Sequence, residues 1–129
     1  MASIFTKIIS GEIPSHKVHE SDKFIAFLDI NPLKAGHTLI VPKEEIDYIF
    51  DMPDGLLSEI LVFSKEVARK IESVVECERI GVSVIGLEVP HAHVHLIPMN
   101  SVSDMNFAKP KLELDSDFMS DLAEKIRQA

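Results

Sequence analysis

The stretch Pro90–Pro98, PHAHVHLIP, places three of the six histidines of the chain at alternate positions, as His91, His93 and His95. Since side chains alternate between the two faces of a β-strand, the three imidazoles are predicted to share one face, and the apolar residues between them the other. Neighbouring rings would be about 6.6 to 6.8 Å apart at their Cα atoms, so that all three can address one small group. We expect the apolar face to pack under a long helix, leaving the imidazoles on the open side of the sheet.

Three interpretations of this row of histidines are open. It can be the polar outer face of a half-exposed strand. It can be a metal site, in which folding brings Asp29, His37 or Glu88 to the three imidazoles, because zinc is commonly bound by histidine and carboxylate ligands. It can also carry out phosphoryl or nucleotidyl transfer without a metal. A neutral imidazole is a nucleophile near pH 7, and a flanking ring binds phosphate oxygens or assists the leaving group.

Length and composition predict one folded domain over residues 1–129, since 46% of the residues are hydrophobic and 26% are charged. The single cysteine, Cys77, excludes an internal disulfide, and the N-terminal residues lack the long apolar core of a signal peptide. We therefore expect a cytoplasmic protein. The formal net charge is −8, and the basic residues are scattered along the chain, so nucleic acid and membranes are not expected as partners.

Sequence patterns predict an α+β fold, with a five-stranded antiparallel sheet, one long helix and short terminal helices. The first helix is predicted to begin after Ser3 as N-cap. The long helix is predicted to begin at Asp51, with Pro53 in its first turn. The last helix is predicted to present Phe118, Leu122 and Ile126 as its apolar stripe. Small residues on the strand before the histidines, Gly81 and Ser83, are expected to leave room above the rings.

Two blocks of the sequence resemble the histidine triad (HIT) family. HAHVHLI matches the family signature His-φ-His-φ-His-φ-φ, where φ is apolar, and residues 4–43 are similar to the N-terminal half of its nucleoside phosphoramidase-like (Hint) branch. The resemblance implies a homodimer whose two sheets join into one. It also implies hydrolysis of purine nucleoside phosphoramidates or dinucleoside polyphosphates through a covalent nucleotidyl-histidine, without a cofactor or metal.

The resemblance assigns a catalytic role to four histidines. His93 would attack the α-phosphorus, and His95 would contact the leaving group or the bridging atom. His91 would lie near the phosphate or orient its neighbours, and His37 would hydrogen-bond within the triad. A histidine rather than a glutamine at position 95 favours hydrolysis over transfer of the nucleotide to a sugar phosphate.

The resemblance also assigns the nucleotide-binding residues. Asp29 would accept both ribose hydroxyls, as suits a group that only accepts hydrogen bonds. The base would lie between apolar side chains, namely Phe5, Ile8, Phe27, Ile30 and Leu39. The positions expected on the phosphate side are Ser83, Glu88 and Val89.

The sequence departs from the family pattern at several of these positions. Ser3 and Thr6 stand where many relatives have the Cys-x-x-Cys of a structural zinc site, so no structural zinc is predicted. Leu87 and Glu88 stand at the usual glutamine and hydroxyl positions, and a carboxylate beside a phosphate site repels a nucleotide. Two alternatives therefore stay open: a nucleotide-binding adaptor with vestigial catalysis, and a metal-dependent enzyme built on the triad.

Overall fold

A computed structural model describes residues 2–129 of the protein. Its five strands form one antiparallel sheet in the order β1-β2-β3-β5-β4. This arrangement confirms the predicted α+β class. The elements, in chain order, are α1 (Ile4–Ile9), β1 (Lys17–Glu20), β2 (Phe24–Leu28), β3 (Thr38–Pro42), α2 (Asp54–Glu72), β4 (Arg79–Ser83), β5 (Val94–Met99) and α3 (Ser116–Gln128).

Each face of the sheet buries its own set of apolar side chains. On one face, the apolar residues that alternate with the histidines lie in one cluster with residues of α2, as predicted, and also with residues of α3; they are Ala92, Val94 and Leu96. On the other face, Phe5 of α1 packs against Phe27 and Leu39. The expectation that this second face is open was wrong, because α1 folds across it and buries the imidazoles that it carries.

The boundaries and faces of two helices differ from the prediction. Pro53, which has no backbone N–H to lose, occupies the N-cap position of α2, and Asp51 ends a preceding 3-10 turn instead of capping the helix. In α3, Phe118 is 48% exposed, and Met119 takes its predicted place in the buried stripe with Leu122 and Ile126. A shift of one residue turns the apolar stripe by about 100° around a helix, which is enough to exchange Phe118 for Met119.

The segment between β4 and β5 is longer than the sequence suggested. It runs over residues 84–93, so His91 and His93 precede β5 and only His95 belongs to it. The space predicted above Gly81 does not exist, because Met99 and Met105 fill it. His91 and His93 therefore lie on the loop that leads into β5, and His95 lies in the strand itself.

Two further features bear on the position and setting of the site. Gly36 has a φ of 96°, which favours glycine, and Val75 and Pro98 leave little room for a side chain there. This tight turn fixes where β3 begins, and with it the adjacent His37. No helix in residues 2–129 is both long and apolar enough to cross a membrane.

Candidate active site

Three buried imidazoles form the centre of the site. His91 is fully buried, and His93 and His95 are 7% and 8% exposed. The rings of His93 and His95 lie edge to face, with their centroids 5.0 Å apart. Because His93 and His95 keep a small exposed fraction, a reactant can reach these two imidazoles but not that of His91.

The tautomer of His93 follows from one hydrogen bond. Its Nδ1 lies 2.8 Å from the backbone carbonyl oxygen of His91. Because a carbonyl only accepts, Nδ1 must carry the proton, and the lone pair of the neutral ring is on Nε2. Burial lowers the pKa of His93, which favours the neutral form. His93 is thus held in the neutral tautomer whose lone pair on Nε2 is free to attack an electrophile.

The tautomer of His95 follows from a chain of two hydrogen bonds. The amide of Leu33 donates to Nδ1 of His37 over 3.0 Å, so the proton of the neutral His37 ring is on Nε2. That nitrogen lies 2.9 Å from Nδ1 of His95, which must accept. The proton of His95 is therefore on Nε2. His93 and His95 thus offer opposite hydrogen-bond roles at their remaining nitrogens.

Burial keeps the rings of this chain neutral near pH 7. Burial, then the neighbouring ring of His95, lowers the pKa of His37 to about 3. Burial, then His93 and the amine of Lys111, lowers the pKa of His95 to about 4. All the buried side-chain nitrogens and oxygens of residues 2–129 have a hydrogen-bond partner. These hydrogen bonds fix the proton positions of the rings and leave Nε2 of His93 and Nε2 of His95 for a reactant.

Asp29 lies at the end of β2, beside this chain. Its Oδ1 accepts a hydrogen bond from the amide of Asn31 over 2.8 Å, and its Oδ2 lies 3.6 Å from Nε2 of His37. Burial raises the pKa of Asp29, although the bond from Asn31 acts in the opposite direction. The carboxylate can accept further hydrogen bonds through Oδ2, as binding of a ribose diol requires.

A metal ion suits the residue types near Asp29 but not their hydrogen bonds. Asp29, His37 and His95 offer ligand atoms within 4.8 Å of one another. Coordination through Nε2 of His37 would move its proton to Nδ1, where the amide of Leu33 already donates. The predicted alternative of a metal on the three triad imidazoles also fails to fit, because both ring nitrogens of His91 have partners in the protein.

The apolar residues predicted to hold the base form a cluster with one exception. Phe5, Phe27 and Leu39 are buried together, and Ile8 and Val89 pack against them. The ring of Phe5 lies edge-on to that of His93, with centroids 4.9 Å apart. Ile30 is 70% exposed and stands outside the cluster. One apolar wall therefore runs up to the ring of His93.

The residues predicted on the phosphate side are placed unequally. Ser83 pairs with His95 across β4 and β5, so it is a neighbour of the triad. Glu88 is exposed. Its negative charge opposes the burial that lowers the pKa of His93, and it adds to the burial that raises the pKa of Asp29. Leu87 is 88% exposed. The unusual carboxylate therefore lies within electrostatic reach of His93.

Sequence reasoning missed two residues that enclose the site from the C-terminal side. The ring of Phe107 packs edge-on to that of His95, with centroids 4.8 Å apart. The amine of Lys111 lies 5.7 Å from the centroid of Phe107 and lowers the pKa of both His37 and His95. The segment that carries them has no regular pattern. The Asn106 turn and the bond from the amide of Leu112 to the carbonyl of Pro32 hold it in place.

The fold and this row of buried imidazoles define a histidine triad protein, and comparison with known proteins agrees. The family model "HIT domain" matches residues 10–102, so the chain belongs to the HIT family. The solved structure of a Hit-like protein from Bartonella henselae superposes with a TM-score of 0.83 at 29% identity, covering 98% of this chain and 95% of that one.

Curated relatives extend the similarity over nearly the whole chain. The chain is 36% identical over 128 residues to adenosine 5′-monophosphoramidase HNT1 of Saccharomyces cerevisiae, covering 97% of this chain and 80% of the relative. It is 35% identical over 131 residues to an uncharacterized HIT-like protein of Borreliella burgdorferi, covering 95% and 94%. The match to a HIT family and Hint-like branch, expected from the two sequence blocks, is confirmed.

Proposed function

We propose that this protein is a hydrolase of purine nucleoside phosphoramidates, with His93 as nucleophile and no cofactor. The observation that carries the proposal is the pair of opposite roles on adjacent rings. Nε2 of His93 holds a lone pair and Nε2 of His95 holds a proton, on rings whose centroids are 5.0 Å apart. Nucleophilic attack on phosphorus requires the first, and the second can donate a hydrogen bond to the departing nitrogen.

The reaction proceeds in two balanced steps. Nε2 of His93 forms a bond to the α-phosphorus as the bond to the leaving nitrogen breaks, and that nitrogen, which accepts a hydrogen bond from Nε2–H of His95, takes a proton from solvent. The positive charge on the nucleotidylated His93 is stabilised by its Nδ1–H bond to the carbonyl of His91. Water then forms a bond to phosphorus through its oxygen as the bond between phosphorus and Nε2 of His93 breaks, and the proton that water loses passes to solvent. The products are a nucleoside monophosphate and an amine.

The charges around the site favour an amine over a polyphosphate as leaving group. Glu88 acts on His93 from an exposed position, and the chain carries a formal net charge of −8. A dinucleoside polyphosphate brings several negative charges to this carboxylate, whereas a phosphoramidate brings one. The similarity to proteins named adenosine 5′-monophosphoramidase supports the same class. Dinucleoside polyphosphates are the competing substrates.

The nucleoside half of the substrate fits the residues next to the triad. The open oxygen of Asp29 would accept the ribose hydroxyls, and the apolar wall around Phe5, Phe27 and Leu39 would face the base. The carboxylate of Asp29 and this apolar wall would favour a nucleotide derivative over a phosphate ester that lacks a nucleoside.

We also propose that two copies of the chain pair through β4. This strand is at one edge of the sheet. Apolar side chains in the strand and directly after it are exposed: Val82 by 54%, Val84 by 41% and Ile85 by 43%. An edge strand with exposed apolar residues is a site for strand pairing between chains. Joining two such edges would make one continuous sheet.

The test is release of AMP from adenosine 5′-phosphoramidate in the presence of a metal chelator. His93→Ala is expected to lower kcat by more than about 10³-fold, because the covalent route is lost. The matched control is His16→Ala, which removes an imidazole outside the site. Mass spectrometry after rapid acid quenching should find the nucleotidyl group on His93, and sedimentation of the same sample reports the dimer.

Other outcomes would select a different function. A wild-type protein that binds AMP but releases none from any nucleotide derivative would favour the adaptor. Activity that is lost with chelator and restored by zinc would favour a metal enzyme. Near-native rates in His93→Ala would exclude the covalent mechanism.

A further inference from the structure

A second cluster of polar side chains surrounds His91, on the side of the triad away from Asp29. It joins the start of α1, the segment after β3 and the loop before β5. The hydroxyl oxygens of Ser3 and Thr6 are 3.4 Å apart, and Nδ1 of His91 lies 4.0 Å from Oε1 of Glu45. Four side chains from three distant segments of the sequence thus meet within a few ångströms.

The hydrogen bonds of this cluster end on two acceptors, Glu45 and His91. Oε1 of Glu45 accepts from the amide of Ser3 over 2.7 Å and from the hydroxyl of Thr6 over 2.6 Å. The bond from the Ser3 amide, then that from Thr6, lowers the pKa of Glu45 to about 2, so this acceptor is ionised. The hydroxyl of Ser3 is 2.7 Å from Nδ1 of His91 and donates to it.

His91 passes the constraint on to the nucleophile. Its Nε2 donates to the carbonyl of Pro42 over 2.8 Å, so both ring nitrogens are held and the ring cannot turn. Its own carbonyl receives the Nδ1–H of His93 over 2.8 Å. Since the ring is fully buried, His91 does not reach a phosphate. Of the two roles implied by the resemblance, orienting its neighbour is the one that the geometry allows.

The same cluster fixes the cover of the site. Phe5 lies on α1 between Ser3 and Thr6, and its ring contacts those of His91 and His93 at centroid distances of 5.8 and 4.9 Å. A helix of six residues is too short to be stable alone. Its place over the sheet therefore depends on its side-chain anchors.

We propose that Ser3, Thr6 and Glu45 are positioning residues for catalysis. Through His91 they hold His93 in the tautomer with its lone pair on Nε2, and they hold Phe5 against its ring. The inference deepens the proposed function and rests on it for the kinetic readout. The tautomer readout does not depend on activity.

The variants separate the hydroxyl of Ser3 from its helix cap. Ser3→Gly removes the donor to His91 but keeps a residue that is tolerated at an N-cap, and Ser3→Thr restores a hydroxyl. Glu45→Ala removes the acceptor, Glu45→Gln keeps a neutral one, and Glu44→Ala is the control on the exposed neighbour. Each is assayed for kcat, KM and AMP affinity, and the imidazole nitrogens are followed by long-range ¹H–¹⁵N NMR.

In Ser3→Gly and Glu45→Ala we expect kcat to fall about tenfold while AMP affinity changes less than about twofold, since one buried hydrogen bond orients the nucleophile and not the nucleotide. The His93 signals should move from the Nδ1–H pattern towards a mixture of tautomers. Ser3→Thr, Glu45→Gln and Glu44→Ala should remain close to wild type.

The inference is overturned if His93 keeps its wild-type tautomer in Ser3→Gly and Glu45→Ala, whether or not kcat or stability falls, because the cluster would then only anchor α1. Wild-type protein without AMP release would refute the proposed function. The NMR signals would still decide the positioning role.

Discussion

Two hydrogen-bond chains enter the triad from opposite ends and leave opposite groups at the reactive nitrogens. From one end, the amide of Leu33 acts through His37, and His95 ends with a proton on Nε2. From the other end, the hydroxyl of Ser3 holds the ring of His91. The backbone carbonyl of His91 accepts from Nδ1 of His93, which ends with a lone pair on Nε2. In the proposed mechanism, identical side chains thus become a hydrogen-bond donor to the leaving group and a nucleophile, because a backbone donor begins one chain and a backbone carbonyl ends the other.

Removing His95 should separate the two ends by leaving group. We expect His95→Ala to lower kcat for adenosine 5′-phosphoramidate by about 10²- to 10³-fold, because the departing nitrogen loses the N–H that stabilises the charge developing on it. For the p-nitrophenyl ester of AMP the loss should be less than about tenfold, since nitrophenolate is a stable anion that departs without such help. Stopped-flow rates on both substrates measure the difference.

The nucleophile end provides the control for this experiment. Ser3→Gly acts through His93 and should slow both substrates by the same factor. If His95→Ala also slows both substrates equally, then His95 positions the phosphate and does not act on the leaving group, and the contrast between the two chains is wrong.

The faces of the sheet could be predicted from the sequence, but the proton positions could not. Alternation placed Ala92, Val94 and Leu96 under α2, because a period of two is a local property of the chain. The partners of His91 are Ser3 and the carbonyl of Pro42, which are 88 and 49 residues away. No local sequence pattern indicates which distant carbonyl will be the partner, because every residue has a backbone carbonyl.

The cover over the histidines was missed for a related reason. Phe5 is one of four apolar residues on the six-residue helix α1. Their spacing does not reveal whether Phe5 faces β2 or another copy of the chain. Phe107 and Lys111 lie in a segment without regular structure, where neither period applies. Resemblance supplied the roles of Asp29 and His37, which composition and spacing alone left as loop and strand residues.

Acid should destabilise the proton-donor end through its depressed pKa values. The pKa of His37 is about 3 and that of His95 about 4, against an ordinary value of 6.5. Below pH 6.5 the unfolded chain binds protons on these rings and the native state does not. The free energy of unfolding contributed by these rings is thus fully present above pH 6.5 and is lost as the pH falls through about 4 towards 3. The raised pKa of Asp29 acts with the opposite sign.

Urea unfolding of wild type and His37→Leu from pH 7.5 to pH 4.5 tests this expectation. At pH 7.5 the variant should lose about 1 to 3 kcal/mol, because the amide of Leu33 and Nδ1 of His95 lose their partner. Its free energy of unfolding should then fall less steeply with acid. His37→Gln, which keeps an N–H donor, should lose less stability. Equal slopes in wild type and His37→Leu would mean that the pKa of His37 is the same in the native and unfolded states.

The smallest expected effect concerns Glu88, which acts on the nucleophile end from outside the hydrogen-bond chains. Its charge reaches both His93 and Asp29, so it opposes any anion bound between them. We expect Glu88→Gln to raise kcat/KM about two- to fivefold for diadenosine tetraphosphate and to change it little for the phosphoramidate. Because an exposed charge is screened by salt, the gain should shrink at 1 M NaCl, whereas Glu76→Gln, ahead of the far end of β4, should give none. A gain that is equal for both substrates would show that Glu88 hinders the nucleotide itself, and the preference for an amine leaving group would then need another cause.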